Sequence, residues 1–190
     1  MDRKNEILQA ASNVFERYGL AKSTLDDIAR ECGIKKTALY YYFKNKEELF
    51  KEMFVHDIEN VKNLVVEAVE KKDNPIDKIK TYMISRLNSL DKMQKYFTIF
   101  QKDDAAVTYR NFAYKIKEKV IHQEIEFLKN VISEGVQKDI FQVEYVNSLA
   151  IMLMGATYGL THEIFCFGNK INLEKEVDKM MEIILKGIEK

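Results

Sequence analysis

Four lysines and three consecutive tyrosines crowd one stretch, GIKKTALYYYFKNKEELF, at residues 33–50. Their chemistry is grip rather than transformation. Ammonium groups supply point charges, phenol hydroxyls hydrogen-bond oxygen acceptors, and phenol rings pack on sugars or methyl groups. The combination suits a polyanion that also presents apolar edges.

Catalytic and metal-binding patterns do not compete with this reading. His56, His122 and His162 have no acidic residue three positions before them, so the Glu-x-x-His pair of a di-iron bundle is absent. No Walker loop, Gly-x-Ser-x-Gly or Cys-x-x-Cys occurs. Glu118 and Glu126 flank His122 by one helical turn on each side, which fits a solvated, ion-paired helix face better than a cation site. The expectation is a chain that is not an enzyme and uses no metal or cofactor.

Helices must position the lysines and tyrosines. With one proline and seven glycines in 190 residues, and 46% hydrophobic residues, the chain is expected to be all-α. Ile7, Ala11, Val14 and Tyr18 recur at helical spacing before Gly19, predicting a helix over 3–18. Thr24 and Asp27 make a capping-box signal for a second helix, with Leu25, Ile28, Ala29 and Cys32 as its inner stripe and Gly33 as its stop. A short third helix over 36–43 shares Leu39 and Phe43 on one anchoring face. Rotation of about 100° per residue then turns Tyr40 and Tyr41 away from the core and leaves Tyr42 at its edge. Asn45 with Glu48 opens a long helix over 46–71, and Asn74-Pro75 opens another over 75–90. The remainder divides into helices over 92–102, 105–136, 143–167 and 173–189, with breaks at Gly135 and at Gly168-Asn169.

Lys35, Lys36 and Lys46 all fall at predicted helix N-termini, where the macrodipole disfavours a cation by roughly 0.3–1 kcal/mol. An external anion would account for them, because helix openings and lysines together make phosphate sites. A helix, a tight glycine turn and a short basic helix with hydroxyls on its open face form a helix-turn-helix, whose second helix enters the major groove of DNA.

The run ILQAASNVFERYGLAKSTLDDIARECGIKKTALYYYFKNKEELF resembles the N-terminal DNA-binding region of TetR-family transcriptional regulators over roughly the first 50 residues. The resemblance implies Thr24 as a phosphate contact, Lys36 and Thr37 as base-edge readers beside Lys35, and Tyr40, Tyr41, Tyr42 and Lys46 as groove-wall contacts. Lys35 stands where members often carry a small hydroxyl cap and Thr37 where glycine is frequent, so the operator should differ from familiar ones. Cys32 is expected to pack rather than sense redox state.

The implied architecture is a three-helix helix-turn-helix domain at 1–46 and a larger helical effector-binding and dimerisation domain at 47–190, with 47–72 as the connecting helix. The partners implied are a double-stranded DNA operator, a small-molecule effector and a second copy of the chain. Phe97, Phe100, Phe112, Phe127, Tyr158, His162 and Phe165 are the candidate lining of an apolar effector pocket. Gly155 and Gly159 allow close helix approach, and with Val177, Met181 and Ile184 they are the candidate dimer interface. The alternative is a helical ligand-binding or protein-interaction module without specific DNA binding, which a net charge of +0 keeps open. The longest uncharged segment, near 146–161, falls short of the ~20 residues that span a bilayer. With two separated cysteines and a charged N-terminus, it makes the cytoplasm the expected compartment.

Overall fold

The computed structural model describes residues 2–101, 107–167 and 172–188. Among them the chain forms nine helices and no β-strand: α1 (Arg3–Tyr18), α2 (Leu25–Glu31), α3 (Lys36–Tyr42), α4 (Lys46–Glu70), α5 (Pro75–Asn88), α6 (Leu90–Gln101), α7 (Val107–Gln137), α8 (Val146–Phe167) and α9 (Leu173–Ile188). No described helix is long and apolar enough to cross a membrane.

The capping signals act where the sequence puts them. Thr24 Oγ1 accepts from the Asp27 amide at 3.2 Å while the Thr24 amide donates to Asp27 Oδ2 at 3.1 Å, closing the capping box of α2. Asn45 accepts the Glu48 amide at 2.8 Å at the start of α4, and Asn74 accepts the Ile76 amide at 2.9 Å with Pro75 as the first residue of α5. Gly19 and Gly33 take φ of 77° and 68°, the left-handed turns that stop α1 and α2.

Gly135 is the exception. The sequence marks it as a break, but α7 runs through it to Gln137, and the turn comes at Asp139, whose φ is 58°. Gly135 is small for packing: the ring of Phe141 occupies the space that a β-carbon at 135 would need.

Contacts divide the chain into two units, Met1–Asn60 with Asp91–Lys117, and Val61–Leu90 with Glu118–Lys190. The division departs from the sequence boundary after Lys46, because α6 returns to pack on α1 and α4. In the first unit Phe15, Phe50, Tyr96 and Phe54 make a chain of edge-on rings at 5.7, 6.1 and 4.7 Å. Lys95 reaches Ser12 Oγ at 2.9 Å and Asp57 Oδ2 at 2.7 Å, and the Tyr96 hydroxyl donates to the same Asp57 oxygen at 2.6 Å. The second unit has its own core, in which Tyr82, Met83, Leu128, Ile132, Leu153 and Val177 are almost fully buried.

Candidate nucleic-acid interface

Leu39 and Phe43 are fully buried and fix α3 from beneath. Rotation along the helix then leaves Lys35, Lys36, Thr37, Tyr40, Tyr41 and Tyr42 exposed together. Tyr41 is 87% exposed and stands edge-on to Tyr42 with ring centroids 5.4 Å apart. So open a position for a large aromatic has no packing reason; it suits a ring that meets an external surface.

The cations are disposed unequally. Lys35 is the N-cap of α3 and makes no side-chain cap bond. Lys36 donates to Asp26 Oδ2 on α2 at 2.6 Å, and this hydrogen bond raises its pKa, with its ammonium 6.0 Å from the Tyr40 ring centroid. Thr24 is exposed at the start of α2, and its hydroxyl donates to Asp27 Oδ2 at 2.6 Å while accepting the Asp27 amide. That hydroxyl holds the Asp27 carboxyl below the usual carboxylate range.

Lys46, expected at the groove wall, is engaged by the chain itself. Its ammonium donates to the carbonyl oxygens of Leu20, Ala21 and Ser23 at 2.8, 2.9 and 3.0 Å. An ammonium has three protons, and all three are engaged by the chain's own backbone. The cation at the start of α4 is therefore explained by carbonyls that follow α1, not by an external anion.

Sequence reading also missed Asp26, whose pairing with Lys36 joins residues ten apart across the glycine turn and leaves no periodic signal. Cys32 is half-buried, and burial pushes its thiol pKa up, which fits a packing residue.

Among the expected pocket residues, the side chains of Phe97, Phe100, His162 and Phe165 lie outside the described residues. The others divide between the two units. Phe112 belongs to the first unit, 6.2 Å from Phe54 and under the Lys51 ammonium, whereas Phe127 and Tyr158 belong to the second. There a buried polar cluster escaped notice: Arg86 Nε donates to Glu124 Oε1 at 3.0 Å, Arg86 also donates to the Tyr158 hydroxyl at 2.9 Å, and Tyr82 donates to Glu124 Oε2 at 3.2 Å. Burial pushes the Tyr82 and Tyr158 phenols up, so both stay neutral at physiological pH, Tyr82 donating to Glu124 and Tyr158 accepting from Arg86. Beside the cluster is a cavity of about 50 Å³ lined by Lys62, Val65, Val66, Tyr82, Gln123, Glu124 and Phe127. No group of side chains among the described residues has the makings of a metal site.

The expected dimer residues split. Val177 and Met181 are 0% and 4% exposed in the single chain, so they pack in its own core and cannot meet a partner. Gly155 and Gly159 are exposed, with nothing among the described residues within 4 Å of where a β-carbon would stand on either. Ile151 and Met152 are open on α8, and on α9 Ile183 is 73% exposed with Ile184 half-buried.

Residues 7–53 match the family described as bacterial regulatory proteins, tetR family. The chain is 28% identical over 137 residues to the HTH-type transcriptional regulator YhgD of Bacillus subtilis, covering 72% of this chain and 71% of that protein. It is 21% identical over 188 residues to the HTH-type transcriptional repressor KstR2 of Mycobacterium tuberculosis, covering 99% and 94%. Among solved structures, the SmeT–triclosan complex superposes with a TM-score of 0.76 at 20% identity, covering 100% of this chain and 93% of that one.

Proposed function

From the match of residues 7–53 to the tetR family, we propose that the chain is a TetR-family transcriptional regulator, a homodimeric repressor whose α3 helices read a palindromic DNA operator and which a small, largely apolar effector releases. The observation that carries the DNA-binding reading is the open face of α3, where Lys35, Lys36, Thr37, Tyr40 and Tyr41 stand together over a buried anchor. Lysines and tyrosine hydroxyls bond phosphates at the groove walls, and Lys36 and Thr37, near the start of the helix, reach the base edges. Thr24 adds a phosphate contact at the start of α2, and Tyr42 supports the groove wall.

Residues 1–46 act as the reading head and 47–190 as the effector-binding and dimerising part, with 47–72 connecting them. Gly155, Gly159 and Ile184 lie in the dimer interface, extended by Ile151, Met152 and Ile183. A dimer sets its two reading helices about 34–36 Å apart, one turn of B-DNA, so each falls in a major groove of the same face.

The KstR2 relative supports repression, and the SmeT–triclosan complex supports a small apolar effector. In this reading its site lies in the second unit, at the cavity lined by Val65, Val66, Tyr82, Glu124 and Phe127, with Tyr158 joined to that cluster through Arg86. An effector that binds the released state more tightly by about 1–3 kcal/mol lowers operator affinity about 5- to 150-fold.

A mobility-shift titration with DNA from immediately upstream of the protein's own coding sequence tests the reading. Retention that weakens with salt at a log–log slope of roughly −7, from about eight phosphates per dimer, is the expected result. Failure to retain either that DNA or random-sequence duplex overturns it.

A further inference from the structure

The geometry around Lys46 points to a latch: we infer that Lys46 is a positioning residue for DNA binding, acting through the turn between α1 and α2 rather than by touching DNA. That turn, residues 19–23, exposes a cluster of carbonyl oxygens. Ser23 Oγ donates to the Gly19 carbonyl at 2.5 Å, and Lys46 binds those of Leu20, Ala21 and Ser23. Thr24, the next residue, caps α2. The direction in which α2 leaves the turn is therefore set by an ammonium carried on the first turn of α4, 22 residues further along. α2 in turn packs against α3, which carries the open lysine and tyrosine face.

Lys46 has good reason to stay in place. At the start of α4 its charge opposes the helix macrodipole, and three aligned carbonyls offset that cost where water would do so less well. Neutral substitution leaves the carbonyl cluster with no common donor, so the turn relaxes and α2 loses its fixed entry point. The fold can survive this, because the cores beneath α1 and α4 do not include Lys46. The register of the reading face does not.

The inference rests on the DNA-binding reading only for its consequence, and its two tests separate the failures. In the first, full-length protein is acetylated with and without a random-sequence DNA duplex, and modification at each lysine is followed by mass spectrometry. A latch gives Lys46 at least tenfold slower modification than Lys35 in the free protein, unchanged on adding DNA, while Lys35 becomes shielded only with DNA. Lys46 as reactive as Lys35 in free protein, and shielded by DNA, overturns the latch. This comparison in free protein holds even for a chain that binds no DNA.

In the second, Lys46→Met and Lys46→Arg are titrated with the same duplex over a range of salt, at a temperature where circular dichroism shows native helix content. The latch predicts that Lys46→Met loses about five- to thirtyfold in affinity with an unchanged salt slope, and that the arginine variant recovers part of the loss. A slope shallower by about 0.9 per protomer marks a lost phosphate contact and overturns the inference, as does unchanged affinity.

Discussion

In the proposed complex Asp26 would compete with DNA for Lys36. A carboxylate on the exposed start of α2 holds that ammonium at 2.6 Å, yet both side chains are about half exposed, so the pair contributes little to stability. Its effect would fall on binding, because an acceptor on DNA must displace Asp26 or share the lysine with it. Asp26→Asn is therefore expected to tighten binding to DNA at each salt concentration, with an unchanged melting temperature. Fluorescence-anisotropy titrations at several salt concentrations check this. Looser binding would mean instead that Asp26 holds Lys36 in its working position. The tyrosines and Lys35 were legible in the sequence because exposure follows from rotation about a short helix with a two-residue anchor. The partners of Lys36 and Lys46 were not, since they depend on how the chain returns on itself.

Helix ends were legible to within a few residues wherever a side chain caps them, because Thr24, Asn45 and Asn74 each act on amides two or three positions away. At α2 this local chemistry gives a pH signature. Asp27's carboxyl lies below its ordinary value in the folded chain, chiefly through the Thr24 hydroxyl. Its contribution is thus fully present above the unfolded value near 3.9 and is lost as pH falls through the lower folded value. Thr24→Ala should cost about 1 kcal/mol at neutral pH, with the gap to wild type closing in acid, as urea unfolding across pH would show. Gly135 misled because a glycine within a helix reads as a stop unless its neighbour in space is known. That neighbour is Phe141, and Gly135→Ala should destabilise by about 1–3 kcal/mol. In a Phe141→Ala background the same change should cost far less, and a double-mutant cycle by chemical denaturation measures the difference. An equal cost in both backgrounds would place the effect in the helix rather than against the ring.

At the scale of the whole molecule, helical class and the order of elements were readable, while the grouping of aromatic residues was not. Phe112 and Phe127 look alike in sequence, but α7 carries them into different contact units, and only the second unit holds the Arg86–Glu124 cluster. Apolar periodicity on α9 likewise cannot tell an inner face from one left for a partner. Val177 and Met181 face inward, and the apolar surface that stays open is Ile151, Met152, Gly155 and Gly159 on α8 with Ile183 on α9. An arginine at 159 tests whether a second copy covers it. Because a β-carbon there meets nothing among the described residues, Gly159→Arg should keep helix content, arginine being a better helix former than glycine at an exposed position. Across a two-fold axis, however, the two arginines would approach each other and fill the space in which the helices meet. Sedimentation should then report a monomer. Its DNA binding should lose the gain from two linked reading heads, and its salt slope should fall to about half that of wild type as half the phosphate contacts disappear. A variant that still sediments as a dimer would put the interface elsewhere and leave this face of α8 without a partner copy.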